Sequence, residues 1–506
     1  MSDANEDRLL HAILAHGGDR PALTCEGETV SWADLSPRVL RLAGAIAAVP
    51  GNPDRPIALI GLNSLDLIVA YLATIAAGRC AVPLPVSATA ETLAGMMEDC
   101  DPLLVFADAA GYARIGAPNA TRTVALDFAA DGITGLADFA ATGQPLDAPA
   151  TPGPSADFNI IYSSGTTARP KGIVHAHAMR YRQASRGVFG LGPASTMLLA
   201  TPLYSNTTLM PLLATLFHGG HVVLMRKFAA APYLDLAVRH RATHTMLVPV
   251  QYQRILAEPE FSASHLSAFV VKQCTGAPLT AALKHAVLER WPGRLLEIYG
   301  LTEGGCTCIL DVAEAPDKAH TVGKPAAGND IRVIDEAGNI MPPGTAGEIV
   351  GRSPAMMSRY FNNPAATEAF YWRDGDGTLF HRTGDIGAFD SDGFLTLLDR
   401  KKDMIISGGF NIYASDLERE LLGHPAVEDA AVIAVPSDQW GETPLGLVVL
   451  RPGAAAEASE LLAWTNARVG KLQRLSALEL RPTLPRSAAG KLLKPELKRP
   501  YWEAVR

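Results

Sequence analysis

Short apolar runs alternate with helix-like patterns twice along this chain, and that rhythm limits the fold more than any other feature. Residues 39–48 have amphipathic helical spacing, 55–61 are a short apolar run, 64–77 are helical again, and 80–85 and 102–107 read as buried strands. The rhythm resumes with strands at 158–162, 196–200, 221–225 and 245–248, separated by helical patterns at 177–188, 209–217 and 233–241. Strand–helix–strand repeats predict βαβ units and parallel sheets covered by helices. Between the blocks, residues 140–157 are rich in Pro, Ala and Gly without periodicity, which predicts a linker or surface crossing.

The pattern then changes. The apolar runs 331–335 and 347–351 flank a turn, and 386–389 and 394–398 flank Asp390-Ser391-Asp392-Gly393. Asp-Gly between such runs marks a hairpin, so residues 320–398 are expected to be antiparallel β. Beyond about 400, helical patterns at 416–422 and 456–469 bracket strands at 427–435 and 445–450, the makings of a small separate α+β domain. A chain of 506 residues is too long for one hydrophobic core.

Forty-four Lys and Arg against 52 Asp and Glu leave a net charge of −8, which argues against a general nucleic-acid binder. A local cluster of donors can still hold an anionic ligand. The six cysteines are dispersed, and Cys306 and Cys308 form C-x-C rather than a zinc-type pair, so reduced cytosolic thiols are the expectation. His175 and His177 form H-x-H without a third ligand in view, a poor metal site. No apolar stretch reaches the roughly 18–20 residues of a membrane span, and the acidic N-terminus does not read as a signal peptide. A soluble cytoplasmic protein is expected.

Directly after the apolar segment 159–162 comes Ser163-Ser164-Gly165-Thr166-Thr167-Ala168-Arg169-Pro170-Lys171-Gly172. Hydroxyls donate to phosphate oxygens, glycine lets backbone N–H groups approach an oxyanion, and Lys171 adds a cation. A Walker A loop is ruled out, because Pro170 precedes the lysine and Gly172 stands where the metal-binding hydroxyl belongs.

This loop resembles the phosphate signature of the adenylate-forming superfamily, the acyl-CoA and aryl-CoA ligases, carrier-protein adenylation domains and firefly-type luciferases. Further stretches match that family in order: Tyr299-Gly300-Leu301-Thr302-Glu303, Arg382-Thr383-Gly384-Asp385, Asp399-Arg400-Lys401-Lys402-Asp403 leading to Ser407-Gly408-Gly409-Phe410-Asn411, and Leu484-Pro485-Arg486-Ser487-Ala488-Ala489-Gly490-Lys491. The resemblance implies an α/β fold: a large N-terminal domain of two parallel α/β sheets plus an antiparallel β subdomain, with a small mobile α+β C-terminal domain. The expected boundaries are 1–398 (subdomains near 1–140, 158–315 and 320–398), a hinge at 399–402 centred on Lys402, and 403–506.

It also implies site residues. Ser163, Ser164, Gly165, Thr166, Thr167 and Lys171 would hold the outer phosphates of ATP, Thr302 the α-phosphate, and Glu303 a Mg²⁺ ion. Asp385 would accept from the ribose hydroxyls, with Arg400 nearby, and Gly276, Ala277, Pro278, Glu297, Ile298 and Tyr299 would line the adenine. Lys491 would bring its ammonium to the reacting carboxylate and α-phosphate. For coenzyme A, Ser407, Gly408 and Gly409 would leave a pantetheine tunnel, Trp440 would pack on the adenine, and Arg474 and Lys227 would meet its phosphates. Tyr204, Asn206, Thr207, Gly300, Gly305 and Cys306 are the candidate acid pocket.

The expected activity is ligation of an aryl or medium-chain carboxylic acid to coenzyme A through an acyl-adenylate. Loading of a phosphopantetheine carrier protein and a non-catalytic nucleotide-binding role remain as alternatives; neither nucleic acid nor membrane insertion is expected, and a monomer and a homodimer are both open. Three positions depart from the family pattern: Ala168 replaces a glycine, Ser205 stands where many relatives carry histidine, and Gln473 replaces a lysine beside Arg474.

Overall fold

Five of the described helices begin where the chain supplies a hydroxyl acceptor. Ser31, Ser64, Thr89, Ser205 and Thr280 each precede a helix and accept a hydrogen bond from a backbone N–H two or three residues on, an arrangement typically worth about 1 kcal/mol. The computed structural model describes residues 5–116, 122–162, 170–407, 410–486 and 491–503. These residues form two compact units. The first comprises residues 1–320, 326–329 and 352–371, and the second 321–325, 330–351 and 372–506.

The first unit holds two parallel sheets. One runs Glu28–Ser31, Pro21–Cys25, His221–Leu224, Thr196–Leu199, His244–Leu247, Val271–Thr275, Arg294–Gly300 and Thr307–Asp311, antiparallel only at its outer pairs. The other runs Arg359–Tyr360, Gly172–Ala176, Asp157–Tyr162, Ala81–Leu84, Ile57–Ile60, Leu104–Ala107, Arg122–Ala125 and Thr134–Gly135. Helices Trp32–Ala47, Leu65–Ala76 and Asn206–Phe217 contribute buried apolar faces to one core shared with strands of both sheets. Leu65–Ala76 is buried on nearly every side, as a helix between two sheets must be.

The strand at 158–162, expected to open the sheet of the second block, instead joins Ala81–Leu84, Ile57–Ile60 and Leu104–Ala107 of the first block. It pairs in parallel with Ala81–Leu84 and folds back antiparallel onto Gly172–Ala176. In exchange, Pro21–Cys25 and Glu28–Ser31 join the sheet of the second block beside His221–Leu224. The reason is packing along the 140–157 segment: Leu146 donates its N–H to the Leu40 carbonyl and Ala150 to that of Ala76, so the chain returns to the first sheet's helices before the strand begins. Gly44 permits this passage, since a Cβ there would lie 1.8 Å from the Gln144 carbonyl oxygen.

In the second unit, Asp330–Ile334, Gly347–Arg352, Leu379–Phe389, Tyr371–Arg373 and Leu395–Arg400 make the antiparallel sheet that the Asp-Gly hairpin predicts. A further sheet orders Phe410–Ile412, Ile405–Ser407, Gly441–Leu450 and Val427–Ser437, with Ala477–Leu480 parallel to Gly441–Leu450. Helices Ala414–Leu422 and Ala458–Asn466 pack their apolar sides into its core. No helix among the described residues is long and apolar enough to cross a membrane.

Candidate active site

Ser163, Ser164, Gly165, Thr166 and Thr167 lie outside the described residues, as do Ala168, Gly408 and Gly409. The residues on either side of 163–169 are held by hydrogen bonds. Tyr162 pairs with Gly172 across the antiparallel strands, and the Tyr162 hydroxyl donates to the Asp99 carboxylate at 2.6 Å. On the other side, Phe361 N–H donates to the Gly172 carbonyl and Ser358 N–H to that of Val174. Gly172 has to be glycine: a Cβ there would come within 2.9 Å of Ile160 and 3.1 Å of Phe361.

The two-residue strand Arg359–Tyr360 therefore seals the base of the loop, and Tyr360 organises what surrounds it. The ammonium of Lys171 lies 5.0 Å from its ring centroid, within cation–π range. Its hydroxyl donates to the Glu303 carboxylate at 2.8 Å. Burial first, and then the Glu303 charge, push the Tyr360 phenol well up, so it remains a donor. Glu303 is further fixed because its carbonyl accepts from Met357 N–H at 2.7 Å and Gly304 bridges Met356. Gly304 has φ +69° and could not carry a Cβ, which would lie 1.7 Å from the Ala355 carbonyl oxygen. Loop lysine, Thr302–Glu303 turn and Tyr360 thus form one constellation. The half-buried Glu303 carboxylate meets a neutral hydroxyl and no paired cation among the described residues, a donor set suited to a divalent ion that also binds phosphate oxygens.

Thr302 is held from beneath. Its carbonyl lies 2.7 Å from His175 Nε2, and His175 Nδ1 lies 2.9 Å from a guanidinium nitrogen of Arg180. Arginine can only donate, so Nδ1 accepts and Nε2 carries the proton that goes to Thr302. Burial, then the Arg180 charge, keep the imidazole neutral by driving its pKa well down. His177, two residues on, instead packs edge-on against Phe158. The pair diverges because His175 lies in the strand Gly172–Ala176 and His177 starts a helix.

Around the candidate acid pocket, Ser205 caps helix Asn206–Phe217. Asn206 Oδ1 accepts from Arg180 at 2.7 Å, and the Tyr204 hydroxyl lies 3.0 Å from Ser87 Oγ. Gly276, at φ +91°, faces Thr207: a Cβ would sit 3.9 Å from Thr207 Oγ1. The acid-pocket and adenine candidates therefore adjoin. Gly300 is exposed at the end of its strand, Tyr299 and Ile298 are largely buried, and Gly305 and Cys306 are buried. The Glu297 side chain pairs with Lys284 inside the protein, and Lys284 also donates to the Ala319 carbonyl at 2.7 Å. Glu297 can thus line a ligand only through its backbone. Ala277 and Pro278 follow in the loop after Val271–Thr275, and Lys227 is exposed.

In the second unit, Asp385 is buried opposite Arg400, whose Nε lies 2.9 Å from its carboxylate. Arg382 and Lys401 share Glu348, and against the burial that raises it their hydrogen bonds hold that carboxyl below the usual range. Lys402 is exposed, and desolvation by its surroundings lowers its pKa. Asp399 accepts from Ala414 N–H at 2.6 Å. Ser407 pairs with Gly441, which places Ser407 beside the turn bearing Trp440. Trp440 is 51% exposed. Arg474 and Lys491 are exposed.

Residues 10–361 match the family model described as AMP-binding enzyme, and 416–491 match that of the AMP-binding enzyme C-terminal domain. The chain is 34% identical over 482 residues to a feruloyl-CoA synthase from an Amycolatopsis species, covering 94% of each protein. It is 30% identical over 503 residues to the fatty acid–[acyl-carrier-protein] ligase ScoC of Streptomyces coeruleorubidus, covering 96% of this chain and 94% of that one. Among solved structures, ATP-bound MatB from Rhodopseudomonas palustris superposes with a TM-score of 0.88 at 28% identity, over 99% of this chain and 100% of the other.

Proposed function

The chain belongs to the AMP-binding enzyme family, and we propose that it is a carboxylic acid–CoA ligase acting on an aryl or medium-chain acid. The observation that carries this reading is the meeting of Lys171, Glu303 and the Thr302 turn on Tyr360 at the foot of the 163–169 segment. A carboxylate is a poor acyl donor because its leaving group is oxide. Its oxygen attacks the α-phosphorus of ATP, the bond to pyrophosphate breaks, and the resulting acyl-adenylate is open to attack by a thiol with loss of AMP. Fixed donors must meet the charge that develops at phosphorus. In this assignment Lys171 and the loop hydroxyls take the outer phosphates and Thr302 the α-phosphate. Glu303 would hold Mg²⁺, which supplies charge neutralisation at the phosphate oxygens. Asp385 and Arg400 serve the ribose, and Lys491 stabilises the adenylation transition state.

Lys402 is the pivot in this proposal, with 403–506 rotating to withdraw Lys491 and present Ser407, Gly408 and Gly409 to the thiol. Such rotation must release the Asp399–Ala414 contact. Trp440 beside Ser407 supports coenzyme A as the thiol, with Arg474 and Lys227 for its phosphates.

A panel of aryl, arylacetic and medium-chain acids, scored by AMP release with CoA, tests the reading. Carboxylate-dependent ATP–pyrophosphate exchange must accompany it, and its absence across the panel refutes catalysis of this type. The ScoC relative favours one alternative, a carrier-protein thiol as acceptor. Thioester formation on a phosphopantetheinylated carrier but not on CoA would establish that alternative.

A further inference from the structure

Arg180 is fully buried, yet each acceptor it meets is neutral: Asn159 Oδ1 at 2.8 Å, Gln183 Oε1 and Asn206 Oδ1 at 2.7 Å, and His175 Nδ1 at 2.9 Å. No carboxylate pairs with it among the described residues. Burial lowers its pKa to about 10, which leaves the guanidinium charged at neutral pH. A buried charge without a counter-charge is costly, and it persists where a ligand supplies the opposite sign or where its field is used.

Two of its bonds lead toward the site. Oδ1 of Asn206 is occupied by Arg180, which fixes the orientation of that amide. The N–H donors at the opposite end of the amide, at the start of helix Asn206–Phe217, have no protein acceptor among the described residues. The other bond runs through His175 to the Thr302 carbonyl. One cation thereby stands a single side chain behind both the acid-pocket amide and the α-phosphate threonine.

We infer that Arg180 is a positioning residue that makes the site selective for a carboxylate: it turns the N–H donors of Asn206 toward the acid and has its charge balanced by the acid's own. This rests on the ligase reading above and adds to it the element that distinguishes an ionised acid from a neutral isostere. Charge-assisted hydrogen bonds are about twice as strong as neutral ones, so the acid gains where its amide does not.

The test uses the full-length protein with AMP present, the most active acid of the panel, and the primary carboxamide of that acid, with affinities read by calorimetry. The wild type should bind the acid at least about 10-fold more tightly than the amide. Arg180→Met should bring that ratio to within about twofold while AMP affinity stays within about threefold. Should Arg180→Met not fold, Asn206→Leu carries the same test at the ligand end, with the same collapse expected. Equal binding of acid and amide by the wild type, or an unchanged ratio in folded Arg180→Met or Asn206→Leu, overturns the inference. So does loss of AMP affinity in step with acid affinity, which marks a merely structural role. An enzyme with no active acid overturns the ligase reading and this inference together; an active acid bound no better than its amide overturns the inference alone.

Discussion

Tyr360→Phe removes a single oxygen from the centre of the candidate site. The ring stays beneath Lys171, so the cation–π contact survives, and the hydrogen bond to Glu303 is deleted. A hydrogen bond to a charged group contributes about 1.5–3 kcal/mol. Glu303 is only half-buried, so water recovers part of that, leaving about 1–1.5 kcal/mol and a loss of about 5- to 15-fold. The loss should fall on kcat/KM for ATP, measured by pyrophosphate release at saturating acid, and on the Mg²⁺ concentration giving half-maximal rate. KM for CoA should not move. Tyr360→Leu also strips the aromatic face from Lys171, which should lower kcat/KM for ATP by a further factor of about 2–5. If Tyr360→Phe leaves kcat/KM for ATP within about twofold of wild type, or weakens ATP and CoA equally, the placement of Glu303 at the nucleotide is wrong.

Lys491→Ala should cut adenylation by about 100-fold or more while thiolysis of supplied acyl-AMP largely survives, and equal loss of both half-reactions would contradict the assignment. Trp440→Ala should raise KM for CoA by about 5- to 100-fold, given the usual worth of base–aromatic stacking, with pyrophosphate exchange unchanged. Lys284→Met leaves Glu297 buried without its cation and should destabilise the protein by about 3–5 kcal/mol in urea unfolding at neutral pH. Burial already raises the Glu297 pKa against the pull of Lys284, so the deficit should shrink as pH falls and the carboxyl takes up a proton. Glu348 has the opposite sign: its folded pKa lies below the ordinary value of 4.5, so its stabilisation is complete above that value and is lost as pH falls through the folded one. Glu348→Gln should flatten acid unfolding in that window, as followed by circular dichroism.

The chemistry-bearing stretches were legible because each concentrates unusual residue types in a few consecutive positions: hydroxyls and lysine after a buried strand, Thr302-Glu303 after a Tyr-Gly turn, Asp385 after Gly384. Tyr360 was not. It sits in an ordinary Arg-Tyr-Phe segment, and its importance arises only when a two-residue strand pairs with Ile173 and Val174, far back in the chain. Arg180 and His175 escaped for a related reason. H-x-H spacing points only to a metal site, which these residues fit poorly, and nothing in the polar helix His-Ala-Met-Arg-Tyr-Arg-Gln-Ala marks Arg180 as fully buried. The exchange of strands between the two sheets was equally hidden, since periodicity reports a strand's two faces and not its neighbour.

The clamp at Gly172 lies outside the 163–169 segment that it borders. Tyr162 is anchored on Asp99 and Gly172 is packed against Phe361, so the two flanking strands are held by residues outside the segment. If the proposed assignment holds, changes confined to 163–169, the restoration of glycine at position 168 among them, should retune nucleotide affinity while the melting temperature stays where it was.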